Sequence, residues 1–250
     1  RFGDAVRGTM VAPREAAEGL RGLAQNGLSL NQALQALPTI LDLATVGEMK
    51  LADAALGATG VLSAFNLQVT DMSRVGDVFA KAAAISNTSV QGMVEAMKQA
   101  SDASDVFHLS LETTAAMLAT LAKRNITGSA AGTSLKNFLQ EIYTQTPKAS
   151  EAFSKLGVTV TDATTGRMKP AMQVVQELAD KLALLGEKSR TDFIATAFNE
   201  RSRKSANALT SDLELLSENF KTVTDKAQGF GRAFAEALGR STEGKLKQLI

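Results

Sequence analysis

The chain of 250 residues is nearly neutral, with 27 basic and 26 acidic side chains and a net charge of +1. This balance gives no general attraction to nucleic acid or to an anionic membrane. Cysteine is absent, which excludes disulfides, thiol nucleophiles and cysteine-ligated metals. No apolar run approaches the roughly 18 residues of a membrane span, and the start at Arg1 lacks the basic-then-apolar pattern of a signal peptide. We expect the sequence to be part of a longer protein.

The composition predicts helix. Apolar residues make up 44% of the chain, which is enough to build a hydrophobic core. Aromatic residues make up only 5%, so alanine, leucine and methionine supply most of the core, and all three favour helix. Proline occurs four times, and stretches with the alternation of a strand are almost absent. We therefore predict an all-α chain.

Helix starts recur along the first half of the chain, at about residues 29, 50, 70, 89, 110 and 127. Most of these positions place a serine or threonine just before an apolar pattern of helical period, where its oxygen can accept a hydrogen bond from a first-turn amide. Ser29 with Gln32, and Thr88 with Gln91, have the spacing of a capping box. Each unit is therefore predicted to be one short helix followed by a short connection.

Apolar stripes follow these starts, as in Leu30, Leu34, Leu37 and Leu41. Isolated helices of this length are unstable in water, so they must pack on one another. We predict a compact array of short capped helices over about residues 15–145. A regular solenoid is the alternative, although the units share caps and spacing but little else.

The pattern of apolar and polar residues changes after Gly157. A short β-branched alternation, Val158 to Thr161, is followed by a turn over 162–166 and a return over 167–170. This pattern predicts one small β-hairpin or extended loop near 157–170.

The remaining segments read as helices. Pro170 suits the start of the next helix, and Gly186 is predicted to end it in a left-handed conformation. The stripes from Leu209 to Leu238 fit one long helix or a helical hairpin, and Gly229 and Gly231 weaken the long helix. We expect a helical-repeat part at 1–150, a hairpin-like insertion with helices completing the module at 151–210, and C-terminal helices at 211–250.

The single histidine is the first candidate for chemistry. Asp102 and Asp105 lie near His108 in sequence, but a zinc site needs three or four protein ligands, usually including further His or Cys. Nucleophilic catalysis would also need a base and a group that orients it, and no such set is visible. We interpret His108 as a residue of the loop before Ser110.

Two carboxylate pairs have the residue types of a glycosidase: Glu141 with Glu151, and Asp162 with Asp180. Carboxylates in helical sequence usually lie on solvated faces, and no groove aromatics accompany these. We therefore predict no catalytic, cofactor-binding or metal-binding residues in the chain.

Two further motifs have weak alternatives. Gly128 and Gly132 lack the Gly-Lys-Ser/Thr ending of a phosphate-binding loop, so we expect a helix start and a close approach of two helices. The segment from Arg201 to Lys204 is the densest basic cluster, and DNA contact there is the alternative to a solvated turn.

One block resembles the core region of the phage tail tape measure family. Residues 125–139 read NITGSAAGTSLKNFL, close to the family pattern N-A-G-I-x-G-x-x-A-G-T-x-L-R-x-x-L. Four further segments resemble family motifs and follow one another in the family's order over about residues 20–210. They are AISNTSV at 84–90, LSLE at 109–112, FSKLGV at 153–158, and Asp162 followed by GRMKP at 166–170.

The sequence departs from the family pattern at two places. Asn199 stands where family members often have glycine, and because Asn tolerates positive φ we expect the turn to be kept. Residues 123–126 read KRNI and lack the glycine of N-A-G-I, which affects the local loop geometry.

The resemblance implies a structural virion protein and not an enzyme. Tape measure proteins set tail length, scaffold the polymerising tail tube in several copies, occupy its lumen and leave ahead of the DNA. The implied partners are the protein itself, tail-tube protein, assembly chaperones and the tail tip or baseplate, with transient DNA contact. The alternatives are a peptidoglycan hydrolase that aids genome entry and a generic helical adaptor.

Overall fold

The computed structural model describes residues 13–240, which form helices and no β-strand. The predicted all-α class is confirmed, and the outer parts of the two terminal segments, 1–12 and 241–250, lie outside the described residues. The helices are α1 Pro13–Gln25, α2 Leu30–Gly47, α3 Leu51–Ala64, α4 Met72–Ala84, α5 Val90–Val106, α6 Leu111–Lys123, α7 Gly128–Tyr143, α8 Pro147–Leu156, α9 Ala171–Ala183, α10 Glu187–Ala197, α11 Glu200–Thr210, α12 Leu213–Lys226 and α13 Phe230–Arg240, with a 3₁₀ turn at Val69–Asp71.

Six of the described helices end in the same way, with one residue in the left-handed region and an apolar residue after it. The left-handed residues are Gly27, Glu48, Asn66, His108, Asn125 and Gly157. In each case the amide of the following apolar residue donates to a carbonyl five residues back, as from Leu109 to Ser104 at 2.8 Å. This is the Schellman arrangement, which satisfies the free carbonyls of a helix end. The apolar residue packs on the core, and it locks the exit angle of the chain.

The helix that follows often starts at once. Between α1 and α2, α2 and α3, α5 and α6, and α6 and α7, the connection has three or four residues and ends with the left-handed residue, the apolar residue and the N-cap residue. The regular spacing seen in the sequence therefore has a physical cause, because each unit is one helix plus this short connection.

The predicted caps are mostly confirmed. Ser29 and Gln32 form the capping box, with the Gln32 amide 3.4 Å from Ser29 Oγ and the Ser29 amide 2.9 Å from Gln32 Oε1. Ser110 Oγ accepts from the amide of Thr113 at 3.1 Å.

Three expected starts differ in detail. The capping box of Thr88 with Gln91 is wrong, because Ser89 is the cap and its Oγ accepts from the amide of Gly92 at 3.0 Å. The start near residue 70 is a 3₁₀ turn closed by Asp71, and α4 begins only at Met72. Thr127 stands at the N-cap of α7 but its side chain makes no capping hydrogen bond.

Alternate helices stack on each other. In one layer α1 packs on α3, α3 on α5, α5 on α7, and α7 on α11. In the other layer α2 packs on α4, α4 on α6, and α6 on α12. The compact array is confirmed, and this alternation is the neighbour pattern of stacked helix pairs, the arrangement behind the solenoid alternative. The buried side chains form one contiguous cluster from Ala16 to Ala227.

The centre of one layer depends on two glycines. A Cβ on Gly132 of α7 would overlap the backbone carbonyl of Ala96, and a Cβ on Gly57 of α3 would overlap the side chain of Val94. Helix α5 is therefore held closely on both sides by residues without a side chain. The expected close helix approach at Gly132 is confirmed.

The second half of the chain corrects one expectation. Helix α9 ends at Ala183 without a left-handed glycine, and Gly186, with φ −66°, is instead the N-cap position of α10. Of the two possibilities for the region near 157–170, the structure has a loop, closed by a single antiparallel bridge between Thr161 and Met168.

The C-terminal stripes form two helices, because Gly229 adopts φ +74° between α12 and α13. These helices do not pair as the expected hairpin. Helix α12 packs mainly on α6 and α4, and α13 packs on α2 and α4.

Replacing Ser29 or Ser110 with alanine should lower the free energy of unfolding by about 1 kcal/mol each, because each removes a bond to an otherwise free amide. Urea unfolding followed by circular dichroism measures the change. Lys50→Ala is the matched control, since Lys50 is an N-cap residue whose side chain makes no capping bond. Unchanged stability in both serine variants would show that the caps do not hold the units.

Gly132→Ala should cost about 1–3 kcal/mol or more, because the backbone of α5 must move to admit one methyl group. Gly60→Ala on α3 is the opposite case, since no atom lies within 4 Å of the added Cβ. It should gain about 0.5–1 kcal/mol from helix propensity. Thermal or urea unfolding of the two variants should therefore shift in opposite directions, and a shared direction would contradict the close approach.

Candidate functional site

His108 lies in the connection between α5 and α6, as predicted. It is exposed and adopts φ +53°, as the left-handed residue of the Schellman turn. Asparagine or glycine usually occupies such a position, so the geometry explains the residue's place without a ligand. Among residues 13–240, no group of three or more His, Asp or Glu side chains could hold a metal ion.

The four carboxylates of the two candidate pairs each have a separate partner. Glu151 Oε1 lies 2.7 Å from Lys155 Nζ, one turn away on the same exposed face. Asp162 Oδ1 accepts from the amides of Thr164 and Thr165 and closes the loop, and these hydrogen bonds hold the pKa of Asp162 below its ordinary value. Asp180 Oδ1 accepts from Gln176 at 3.2 Å.

Glu141 is used as a helix cap across elements. Its Oε2 accepts from the backbone amide of Asn199 at 2.8 Å and from Ser202 Oγ at 2.6 Å, both at the start of α11. Asn199 does not adopt the positive φ expected for it. It has φ −70° and is the N-cap residue of α11, and its Oδ1 accepts from Arg201 and Ser202. A carboxylate at this end also interacts favourably with the helix dipole.

Arginine side chains donate hydrogen bonds to the free carbonyls at helix C-termini. Arg203 Nε donates to the carbonyl of Phe198 at 3.1 Å, and its Nη2 donates to that of Ala195 at 2.9 Å, at the end of α10. Arg190 Nη2 donates to the carbonyl of Thr210 at the end of α11. In the basic cluster, Ser202 is buried, whereas Arg201, Arg203 and Lys204 are exposed, and Arg203 binds the carbonyls at the end of α10.

The sequence did not predict which side chain accepts hydrogen bonds from the first amides of α13, the last described helix. Asp77 of α4 accepts from the amides of Gly229 and Gly231, at 2.6 and 2.9 Å, and so caps α13 from outside its own segment. The sequence carries a signal for such a contact. Gln228 and Gly229 precede α13, so this helix has no Ser, Thr, Asp or Asn at its N-cap, and its free amides require an acceptor from elsewhere.

A cavity of about 300 Å³ lies along the seam where α13 meets α2 and α4. Asp42 of α2 lines this cavity together with Asp77 and Arg232. Burial raises the pKa of Asp42 to about 6, and Arg232 opposes this rise while Glu236 and Asp77 add to it. The seam thus contains a partly buried carboxyl group that titrates near neutral pH.

A second ion pair joins α4 to α6. Arg74 donates from Nε to Glu112 Oε1 at 2.6 Å and from Nη2 to Oε2 at 2.9 Å. Burial alone would raise the pKa of Glu112, but the hydrogen bonds from Arg74 hold it below the ordinary value. Like the caps, this pair fastens one helix to another.

One groove opens between α8 and α10, with a volume of about 390 Å³. Apolar Leu156 and Phe193 line it together with charged Lys148, Lys155 and Asp192. None of the described helices combines the length and the hydropathy that crossing a membrane requires. The charged groups described above bind helix ends and one another, an arrangement that organises a helical scaffold.

Comparisons with known proteins agree with this helical scaffold. The chain is 32% identical over 244 residues to the tape measure protein of Pneumococcus phage Dp-1, which covers 96% of this chain and 21% of that protein. It is 27% identical over 224 residues to the probable tape measure protein of Escherichia phage P2, which covers 87% of this chain and 27% of that protein.

The chain thus spans only 21% to 27% of the length of these two relatives. No solved structure matches it significantly. The predicted resemblance to the tape measure family is confirmed.

The match to a family covers most of the chain, from residue 3 to residue 199, and includes α1 to α10. This chain therefore belongs to the family of phage-related minor tail proteins.

Proposed function

We propose that this chain is a folded structural module of a phage tail tape measure protein. The observation that carries the proposal is the alignment of 96% of the chain with a fifth of a known tape measure protein. The complete protein would scaffold the polymerising tail tube, set tail length, and occupy the tube lumen until the genome is ejected. It would reach this place in the virion after synthesis in the bacterial host.

Within the complete protein, this part would be a compact module and not the extended rod. The longest described helix, Leu30–Gly47, has 18 residues and is about 27 Å long. The helices are short, they reverse direction at tight Schellman turns, and they bury one contiguous core. A measuring rod must be extended, whereas these residues form short helices that pack in layers.

The proposed partners follow from the place of such a protein in a tail. They are further copies of the protein itself, the tail-tube protein, the assembly chaperones and the proteins of the tail tip or baseplate. Transient DNA contact through Arg201 and Lys204 would be weak, because Arg203 already binds carbonyls of α10 and no aromatic side chain is part of the cluster.

We also propose that the chain has no enzymatic activity. A retaining or inverting glycosidase needs two carboxyl groups that face one substrate bond. Here Glu141 binds the start of α11, whereas Glu151 pairs with Lys155 on an exposed face of α8. Each group has a structural partner instead of a shared cleft.

Tail length tests the proposal of a module within a length-setting protein. One phage receives a second copy of these 250 residues in frame, and another receives a continuous helix of equal length elsewhere in the same protein. The helix should lengthen the tail by up to about 375 Å. The folded copy should add at most about 50 Å, the width of a compact unit of this size.

Electron microscopy of purified tails measures both insertions. A gain near 375 Å from the duplicated module would show that the module is extended in the tail. An unchanged length with both insertions, in tails of normal appearance, would contradict the role in setting length.

A cell-wall zymogram tests the proposed lack of activity. The purified chain should clear no peptidoglycan at any loading at which a known muramidase clears it. Clearing by the chain that is lost in Glu151→Gln, a surface change with little effect on folding, would establish a hydrolase. The matched control is Lys155→Gln, which removes the same ion pair but no carboxylate.

A further inference from the structure

Helix α13 is attached to the rest of the fold as a separate piece. It follows α12 after a link of three residues, and Gly229 in this link has φ +74°. Its main contacts are with α2 and α4, which lie far away in sequence, and not with the adjacent α12. The helix can therefore leave its groove by rotation at the link, without unfolding α12.

Two specific contacts join α13 to α4. Asp77 accepts from the amides of Gly229 and Gly231. Lys81 Nζ lies 4.2 Å from the ring centre of Phe230, in a cation–π contact. Helix α13 also packs along α2 and α4, so its docking depends on the groups that line this seam.

Charges along the seam oppose this docking. Asp42 of α2 faces Asp77 of α4 and Glu236 of α13, and Arg232 is the cation that interacts with it. Arg232 is 76% exposed and also pairs with Glu236 at 3.2 Å, so solvent and this partner weaken its compensation of Asp42. The cavity of about 300 Å³ beside Asp42 shows that the seam is not tightly packed.

We propose that α13 is a pH-responsive latch, closed on α2 and α4 while Asp42 is protonated and loosened when Asp42 ionises beside Asp77 and Glu236. The proposal does not rest on the role of the complete protein in the tail. Opening uncovers Phe230 and Phe234 together with the apolar groove side chains Leu43 and Val46.

The direction of the pH effect follows from the position of Asp42. Its pKa is raised to about 6 in the docked state, mainly by burial, from an ordinary value of 3.8. A group that binds its proton more tightly in the docked state favours docking at low pH, and this advantage is lost as the pH rises through about 6. Because Asp42 is only partly buried, the docking equilibrium should fall by no more than about tenfold between pH 5 and pH 7.5.

The other nearby charged pair does not account for such a change. Arg74 and Glu112 line a cavity that Asp77 also borders. Their mutual hydrogen bonds raise the pKa of Arg74 and hold that of Glu112 below its ordinary value, so neither titrates between pH 5 and pH 7.5. Lys81, another charged group of α4, lies on the ring of Phe230.

Spin labels measure the latch directly, because the chain has no native cysteine. Ala237→Cys on α13 and Lys98→Cys on α5 are both exposed sites for a label pair. Double electron–electron resonance should show one short distance at about pH 5 and a growing population of longer distances at about pH 7.5. Asp42→Asn should keep the short distance at both values.

The matched control is Asp102→Asn, an exposed aspartate of α5 that should leave the pH dependence unchanged. A distance distribution that does not change with pH in the parent chain overturns the proposal, as does a change that persists in Asp42→Asn. Should Asp42→Asn fail to fold by circular dichroism, the exchange protection of the Gly229 and Gly231 amides in the parent chain decides. Protection that is higher at pH 5 after correction for intrinsic rates supports the latch, and equal or lower protection overturns it.

Discussion

Every part of this fold depends on how the free hydrogen-bonding groups at helix ends are satisfied. A chain divided into many helices of 10 to 18 residues has many more such ends than one with a few long helices. An unsatisfied end in a packed array costs free energy at each occurrence. The first half of the chain solves this locally, with Schellman turns and serine caps. The later helices also depend on charged side chains of other helices. Glu141 and Asp77 bind amides far away in sequence, and Arg190 and Arg203 bind the last carbonyls of a neighbouring helix.

The two solutions have different consequences for assembly of the fold. Local caps allow each helix of the first half to form with its own connection, so stacking neighbours is the main remaining step. The long-range caps instead join α11 to α7 and α13 to α4, because the amides of Asn199, Gly229 and Gly231 are satisfied only after docking. Helix α12 is joined in a similar way, through the buried bond from Asn219 to Thr120 at 2.9 Å.

The class of fold and most of its first half were predictable from sequence because the signals there are local. Apolar period, serine caps and the spacing of starts all act within about 20 residues. The capping box at Thr88 failed because Thr88 and Ser89 both carry a hydroxyl, and one residue of register decides which accepts. The prediction that Gly186 ends α9 was wrong because composition alone does not distinguish a glycine that ends one helix from a glycine that starts the next.

The sequence did not predict that Glu141 and Asp77 cap the ends of other helices. Both bind amides 58 or more residues away, and sequence spacing carries no information on such contacts. Stacking of alternate helices was likewise left open, since it depends on close approaches at single glycines such as Gly132.

The Schellman connections also constrain how this protein can change over evolution. Because a connection such as His108 to Ser110 has no spare residue, one inserted amino acid would rotate the following helix by about 100° and turn its apolar stripe away from the core. Insertions and deletions should therefore be tolerated only where the chain runs outside these turns, above all in the exposed loop from Asp162 to Arg167. The number of residues per unit is therefore fixed along most of the first half of the fold, whereas the surface residues can vary between lineages.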